Sequence, residues 1–470
     1  MNLKGTGNWR RIASFGLVVV TASSLAVIEA DPRAGATTAK PNFVLIVTDD
    51  QRADTLRYMP IVRRELTRKG IRFSNGYVVN PVCCPSRASL LTGAYSHTTG
   101  VYTNHPRQPY GGFPAFRDGS TIATWLDTAG YRTALLGKYL NGYGREPYIP
   151  PGWDRWFATY EEGGYYDYAA TVDGEQVTYG TDPDEYGTTV LEREAITFIS
   201  ETDAATPLFL YLAVHAPHKP ATPAPGDSHA YSDLAPWRPR SYDEADVSDK
   251  PAWLSDRARL SSTVARRIDR FRLEQIRSLQ SVDRAVGSIV DALDASGRLP
   301  NTMIVFASDN GLLWGEHRWD SKGVPYEESV KVPFVVRYDA LVHSPRVDEH
   351  LVLNIDVAPT FARLAGVDAP RAEGRSIVPL LSSPDSVWRK VFLIEHLSLG
   401  EHGVPTYCAV HTVRYVMIRY VTGESELYDL ARDPAQLSNV AGEPTYATRM
   451  SDLNRSLREL CSPTPPGFSL

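Results

Sequence analysis

The sequence predicts an α/β fold, with a mostly parallel sheet between helices and a smaller sheet domain at the C-terminus. Three observations carry this expectation. Short apolar runs recur without alternation, as in strands buried on both faces. Segments with helical spacing separate them, the pattern of parallel strands joined by crossover helices. From about residue 386 the helices give way to closely spaced strands.

The first run, Asn42-Phe43-Val44-Leu45-Ile46-Val47, stops abruptly at Thr48-Asp49-Asp50. A short helix is predicted over 60–69, with Pro60 suited to its first turn, Val62 and Leu66 on one face, and Gly70 as its stop. Helical spacing over 121–128 leads into a strand over 131–136. A helix over 186–200 precedes the strand 208–214, and a long helix over about 256–295 precedes the strand 302–307, which ends in Ser308-Asp309-Asn310. Two stretches interrupt the alternation: 143–184, rich in Gly, Pro, Tyr and acids, and 219–251, rich in Pro, Ser and Asp. Loops this long inside a compact domain usually form functional rims. Strands follow at 391–394, 407–410, 413–421 and 427–430, with Thr422-Gly423-Glu424 as a hairpin turn and a closing helix over 446–460. The expected division is a signal peptide at 1–36, a catalytic α/β domain at 41–385 and a small sheet-plus-helix domain at 386–470.

Lys4, Arg10 and Arg11 precede an apolar run over 12–28 and the small residues Ala34-Gly35-Ala36. A basic region, an apolar region and a small-residue cleavage site together predict export, to a secreted or periplasmic location. The run is shorter than the ~20 residues a membrane span prefers, so no stable span is expected. A formal charge of −6 and a pI near 6.0 exclude the basic balance of a nucleic-acid-coating protein. The cysteines are four: Cys408 and Cys461 can pair, whereas a bond between the adjacent Cys83 and Cys84 would be strained.

Ligands of open α/β sheets bind beyond the carboxyl ends of strands. Two strands here end in acids, at Asp49-Asp50 and at Asp309-Asn310, an oxygen-rich set that suits a hard cation. Aspartate and asparagine are also common turn and cap residues, so the pairs alone do not decide the matter. A third element is Asn80-Pro81-Val82-Cys83-Cys84-Pro85-Ser86-Arg87, continuing to Leu91-Thr92-Gly93. Arg87 lies too close to either cysteine for a Cys-x5-Arg phosphate loop, and no second cysteine pair stands at zinc-ligand spacing.

Cys83-Cys84-Pro85-Ser86-Arg87 with Leu91-Thr92-Gly93 resembles the signature of the formylglycine-dependent sulfatase family. Further stretches share the resemblance: Gly137-Lys138, His215-Ala216-Pro217-His218, Ser308-Asp309-Asn310-Gly311, Lys322 and Glu426-Leu427-Tyr428-Asp429-Leu430. The resemblance implies an alkaline-phosphatase-like fold and conversion of Cys83 to formylglycine, an aldehyde, by a formylglycine-generating maturation enzyme. It implies that Asp49, Asp50, Asp309 and Asn310, with residue 83, hold one Ca²⁺ (or Mg²⁺). Arg87, Lys138 and Lys322 would surround a sulfate ester, and His218 would protonate the leaving oxygen. His97 and His317 are candidates for supporting positions, and His215 for orienting its loop. One departure stands out: many members carry a histidine two residues after the lysine matching Lys138, and here that residue is Leu140. Asn141 beside it can hydrogen-bond but is no base.

Cys83-Cys84, Val101-Tyr102-Thr103-Asn104, Lys138-Tyr139-Leu140-Asn141 and Tyr148-Ile149-Pro150-Pro151-Gly152-Trp153 resemble the branch of N-acetylglucosamine-6-sulfatases and extracellular endosulfatases. A sulfated sugar is therefore the expected substrate, with Trp314 and Trp319 as a candidate sugar platform. A broad arylsulfatase, a phosphodiesterase or phosphonate monoester hydrolase of the same superfamily, and a catalytically silent binding protein are the alternatives.

Overall fold

The computed structural model describes residues 40–144, 148–160, 164–399 and 403–470; the expected signal peptide lies outside them. Ten strands make the large sheet: β1 (Asn42–Thr48), β2 (Ile71–Tyr77), β3 (Arg132–Lys138), β4 (Arg155–Thr159), β5 (Tyr168–Val172), β6 (Glu175–Tyr179), β7 (Leu208–Ala213), β8 (Thr302–Ser308), β9 (Phe334–Arg337) and β10 (Arg346–Leu353). Their spatial order is β10-β2-β9-β8-β1-β7-β3-β4-β5-β6. The centre, β8-β1-β7-β3-β4, is parallel, and β9, β5 and β6 add antiparallel partners.

The unbroken apolar run of β1 has its reason in two covered faces. Phe43, Leu45 and Val47 pack with residues of three helices, α1 (Cys83–Thr92), α2 (Ile122–Thr128) and, later in the chain, Val357–Ala365. Val44 and Ile46 point the other way, against α3 (Gly187–Glu201) and α4 (Ser262–Ala295). Naming the helix Val357–Ala365 α5 completes a sandwich in which every residue of β1 is buried.

The small sheet is antiparallel, in the order β11 (Phe392–His396), β12 (Tyr407–His411), β13 (Tyr415–Tyr420), β14 (Ser425–Asp429). Helix α6 (Ala447–Leu460) covers it with Leu453 and Leu457, and a disulfide joins Cys408 on β12 to Cys461 just past α6. The two sheets share an apolar cluster, in which Tyr77, Leu351 and Leu353 pack with Phe392 and Leu393, and polar contacts add to it. Glu426 accepts hydrogen bonds from the Tyr326, Tyr420 and Tyr428 hydroxyls, and the Glu395 N–H donates to the Val79 carbonyl.

Two expectations are corrected. Residues 143–184 are not simply a rim loop, because β4, β5 and β6 run through them and extend the sheet. The β5–β6 connection is Asp173-Gly174, with φ of 47° and 92°, a two-residue hairpin turn whose signal lay in the sequence but was masked by the surrounding Tyr and Gly. The long helix begins at Ser262, not near 256, because the Ser261 hydroxyl caps the Val264 N–H. Residues 219–251 carry no strand or long helix, as expected of a loop.

Candidate active site

Parallel pairing of β1 with β8 sets Thr48 opposite Ser308, so Asp49-Asp50 and Asp309-Asn310 leave the sheet side by side. The junction is locked by Asp309 N–H to Thr48 O at 3.0 Å and by Gln51 N–H to the Ser308 hydroxyl at 3.0 Å. Asp50 takes a left-handed backbone, φ 67°, a region that Asp and Asn enter more readily than most residues. Its N–H then donates to Asp309 Oδ1 at 3.2 Å. Lys138 is the last residue of β3, and His215 and His218 follow β7, so the same sheet edge delivers all of them. Cys83 and Arg87 stand one turn apart on α1, whose N-terminus is fixed by the Cys84 N–H donating to Asn104 Oδ1 at 2.9 Å.

These groups form one cluster. Cys83 Sγ lies 3.3 Å from Asp49 Oδ1 and 2.6 Å from Lys322 Nζ. Lys138 Nζ donates to Asp49 Oδ2, and Lys322 Nζ donates to Asp50 Oδ1. Arg87 Nε donates to Asp309 Oδ2 at 2.7 Å and one Nη donates to the Lys138 carbonyl at 2.9 Å. The other Arg87 Nη is buried without a hydrogen-bond acceptor, 3.5 Å from Asp49 Oδ2. His218 Nε2 stands 3.7 Å from Asp50 Oδ2, and its Nδ1 is 2.9 Å from the Lys219 carbonyl. A carbonyl only accepts, so Nδ1 carries the hydrogen and Nε2 is the exchangeable nitrogen.

Burial of these charges is near complete, with Asp49, Arg87 and Asp309 at 0% exposure. For Asp49 burial is the largest influence and would raise its pKa. Lys138, His218, Lys322 and Arg87 outweigh it and hold the carboxyl well below its usual range. Asp50 is likewise lowered, burial being offset by Lys322 and His218. Asp309 goes the other way, raised by burial and by the neighbouring Asp49 charge despite Arg87. Burial lifts the Cys83 thiol, with Asp49 adding to it. Burial lowers His218, partly offset by Asp49 and Asp50, and takes His215 down to about 3, so His215 is a neutral packing group here.

The oxygen donors of this site suit a hard cation; the thiol and imidazole beside them are not ligands of that kind. Oxygens of Asp49 and Asp50, Cys83 Sγ and a His218 nitrogen all lie within 4.8 Å of one another. Asn310 Nδ2 donates to Asp50 Oδ1 at 2.6 Å, leaving Asn310 Oδ1 buried with no hydrogen-bond donor, an orphaned acceptor that a bound cation would satisfy.

The sequence named every member of this cluster; Asn104 and Ser308 stood there only within stretches that carry the resemblance, with no supporting role attached. The role of Asn104 has no local signal, since its partner is a backbone N–H twenty positions back. Leu140, at the family's histidine position, is buried in the core. His97 and His317 bind acids away from the cluster: His97 between Glu373 and Glu395, His317 on Glu244. The tryptophan platform is corrected. Trp314 and Trp319 are 1% and 2% exposed, the first beneath Arg52 and the second against Trp253.

A sulfatase family model matches residues 41–367, and a model described as N-sulphoglucosamine sulphohydrolase, C-terminal, matches 315–462. The extracellular sulfatase SULF-1 homolog of Drosophila melanogaster is 36% identical over 76% of this chain, which spans only 33% of that protein's length. Human N-acetylglucosamine-6-sulfatase is 29% identical, with 91% of this chain and 86% of that one covered. Among solved structures, one determined in complex with its substrate D-glucosamine-2-N,6-O-disulfate superposes with a TM-score of 0.80. It is 24% identical, over 91% of this chain and 99% of that one, and shows that the fold is shared. With the family model covering well over half the sequence, and the signature cysteine heading the helix at the acid-lined sheet edge, the chain belongs to the sulfatase family.

Proposed function

We propose that this chain hydrolyses sulfate monoesters of sugars, N-acetylglucosamine 6-sulfate or a chain ending in it, with Cys83 converted to formylglycine. The observation that carries the reading is the convergence of Cys83, three carboxylates and three basic side chains in one buried cluster. The sugar assignment draws on the human relative and on the ligand of the bacterial neighbour. An exported location is in keeping with the SULF-1-type relative, named as extracellular.

Asp49, Asp50, Asp309 and Asn310, with residue 83, would hold a Ca²⁺ or Mg²⁺, which supplies a Lewis acid and a template. The hydrated aldehyde would supply a hydroxyl to attack sulfur and, by re-forming the carbonyl, an exit for sulfate. The chain's own residues do the rest. Three carboxylates against a divalent cation leave about −1, and Arg87, Lys138 and Lys322 bring the site to about +2, a field that favours an anionic ester and its transition state. The Arg87 Nη that has no hydrogen-bond acceptor is a ready donor to a sulfate oxygen. Lys322, in contact with Sγ, is placed to hold a proton exchanged with residue 83. His218 Nε2 is the proton donor to the leaving alcohol, and an imidazole held low by burial is a strong acid once protonated.

The test is chemical and kinetic together. Peptide mass spectrometry of active protein should find the aldehyde at 83 and a thiol at 84. Cys83→Ala should abolish turnover and Cys84→Ala should be far milder. Mature protein should show a higher kcat/KM on 6-sulfated N-acetylglucosamine than on a chromogenic aryl sulfate, a phosphodiester or a phosphonate monoester. Only thiol at 83 in fully active enzyme would reject the mechanism, and an aryl preference with no sulfate released from any sugar would reject the substrate.

A further inference from the structure

His218 stands beyond the end of β7, in a segment that belongs to no helix or strand. A group that hands over a proton must nonetheless hold its place, since a misplacement of about 1 Å can cost a reaction about a hundredfold. Its ring is held by Nδ1 on the Lys219 carbonyl at 2.9 Å, a bond that orients the imidazole only against its own backbone. The backbone is held from outside. The carbonyls of Pro217 and His218 belong to the two peptide groups that flank the His218 Cα, and each accepts a hydrogen bond from a distant side chain. Gln275 Nε2, on α4, donates to the Pro217 carbonyl at 3.1 Å. The Tyr165 hydroxyl donates to the His218 carbonyl at 2.7 Å, beside the Ala221 N–H at 2.9 Å. Peptide groups are planar and stiff, so pinning the planes on both sides of one Cα fixes both of its soft dihedrals.

The Gln275 amide is itself oriented. Its Oε1 accepts from Trp314 Nε1 at 2.6 Å. An indole N–H only donates and a carbonyl only accepts, so the amide fits between them one way round. Trp314 is anchored in turn: its backbone N–H donates to Glu316 Oε2 at 2.5 Å, and its ring lies 4.3 Å from the Arg52 guanidinium, which donates to Glu316 Oε1 at 2.8 Å. Gln275 and Trp314 are 1% exposed and Tyr165 4%, so water does not compete for these bonds. Methionine at 275 would fill the same space and make neither bond.

We propose that Gln275 and Tyr165, with Trp314 behind Gln275, are positioning residues that aim His218 Nε2 at the leaving oxygen, and so set how well esters of weakly acidic alcohols are cleaved. The proposal rests on His218 as the proton donor, as read above, and deepens that reading. A sugar alkoxide or an electron-rich phenolate leaves poorly without a proton, whereas a nitrophenolate leaves unaided. Lost aim is therefore felt by the first kind of ester and not by the second. A distorted cation site or a loosened fold would be felt by both.

The test is the dependence of rate on the leaving group, measured on active full-length protein with 6-sulfated N-acetylglucosamine and a series of phenyl sulfates from 4-nitrophenyl to 4-methoxyphenyl. Gln275→Met and Tyr165→Phe should each lower kcat by about tenfold on the sugar and 4-methoxyphenyl esters with KM nearly unchanged, while 4-nitrophenyl sulfate stays within about twofold. Gln280→Met, on the same helix but bonded to the Tyr58 and Ile276 carbonyls, should leave the dependence as it is. His218→Ala should steepen it, and adding Gln275→Met to that variant should cost less than about twofold more, because the group being aimed is gone. Equal losses on every ester would overturn the proposal, and so would an additive loss in the His218→Ala background. If Gln275→Met does not fold, Tyr165→Phe, which removes a single hydroxyl, decides alone. An unchanged dependence in His218→Ala rejects His218 as the donor and the proposal with it. The predicted pattern on the phenyl series, with no sulfate released from any sugar, rejects the sugar substrate and leaves the positioning role standing.

Discussion

Asp309 holds two neighbours at once: the Arg87 guanidinium at 2.7 Å and the backbone N–H of Asp50 at 3.2 Å. Asparagine at this position can accept from only one of them and strips the buried Arg87 of its closest counter-charge. Breaking a buried pair from one side costs about 3–5 kcal/mol. Asp309→Asn should therefore lose stability of that order in denaturant titration and lose turnover as well. Asn310→Ala removes the orphaned oxygen and one hydrogen bond to Asp50 but strands no charge, so it should weaken Ca²⁺ binding with a smaller loss of stability. Equal destabilisation by both changes would contradict this division. At this scale the acids themselves were legible, because a strand that ends in Asp-Asp or Asp-Asn is a local pattern. Their partners were not, since the pairing of Arg87 with Asp309 spans 222 positions and leaves no mark on either neighbourhood.

Among the elements, the short turn Ser96–Thr99 ties the end of α1 to the small sheet through one side chain. His97 sits 3.2 Å from Glu395 on β11 and 3.2 Å from Glu373, its side chain 5% exposed. Burial alone would lower its pKa, and the two carboxylates more than offset this, raising it to about 10. A histidine whose folded pKa exceeds its unfolded value of about 6.5 contributes its full stabilisation below that value. The contribution is lost as pH climbs through about 10. Wild-type stability should thus fall between those limits more steeply than that of His97→Gln, and the gap between the two should close at the alkaline end. Parallel pH profiles would refute the bridge. Element type was readable wherever one signal dominated, the unbroken apolar run of β1 or the helical spacing of α4. It failed at β4, β5 and β6, where tyrosines and glycines blurred the alternation and only the Asp173-Gly174 turn remained as a cue.

For the molecule as a whole, the division into a large mixed sheet and a small antiparallel one was legible from the change of rhythm near residue 386. How the sheets join was not. The Glu426 cluster and the Glu395 contact draw on Tyr326, Val79, Glu395 and Glu426, which fall outside every predicted strand and lie far apart in the chain. The burial of Cys83, 1% exposed beneath the ends of β1 and β8, has a further consequence, one of timing. Strand β8 emerges more than two hundred residues after the cysteine during synthesis. Until it docks beside β1, the segment 80–93 is an accessible peptide; afterwards no enzyme can reach the sulfur without opening the core. If Cys83 is oxidised as proposed, the window closes when the sheet does. Thiol-bearing protein that has already folded should stay a thiol when incubated with the maturation enzyme, whereas a synthetic peptide of residues 80–93 should gain the aldehyde, both read by mass spectrometry. Folding is then the clock that decides, once per molecule, whether a copy of this chain is born active or remains inert for its lifetime.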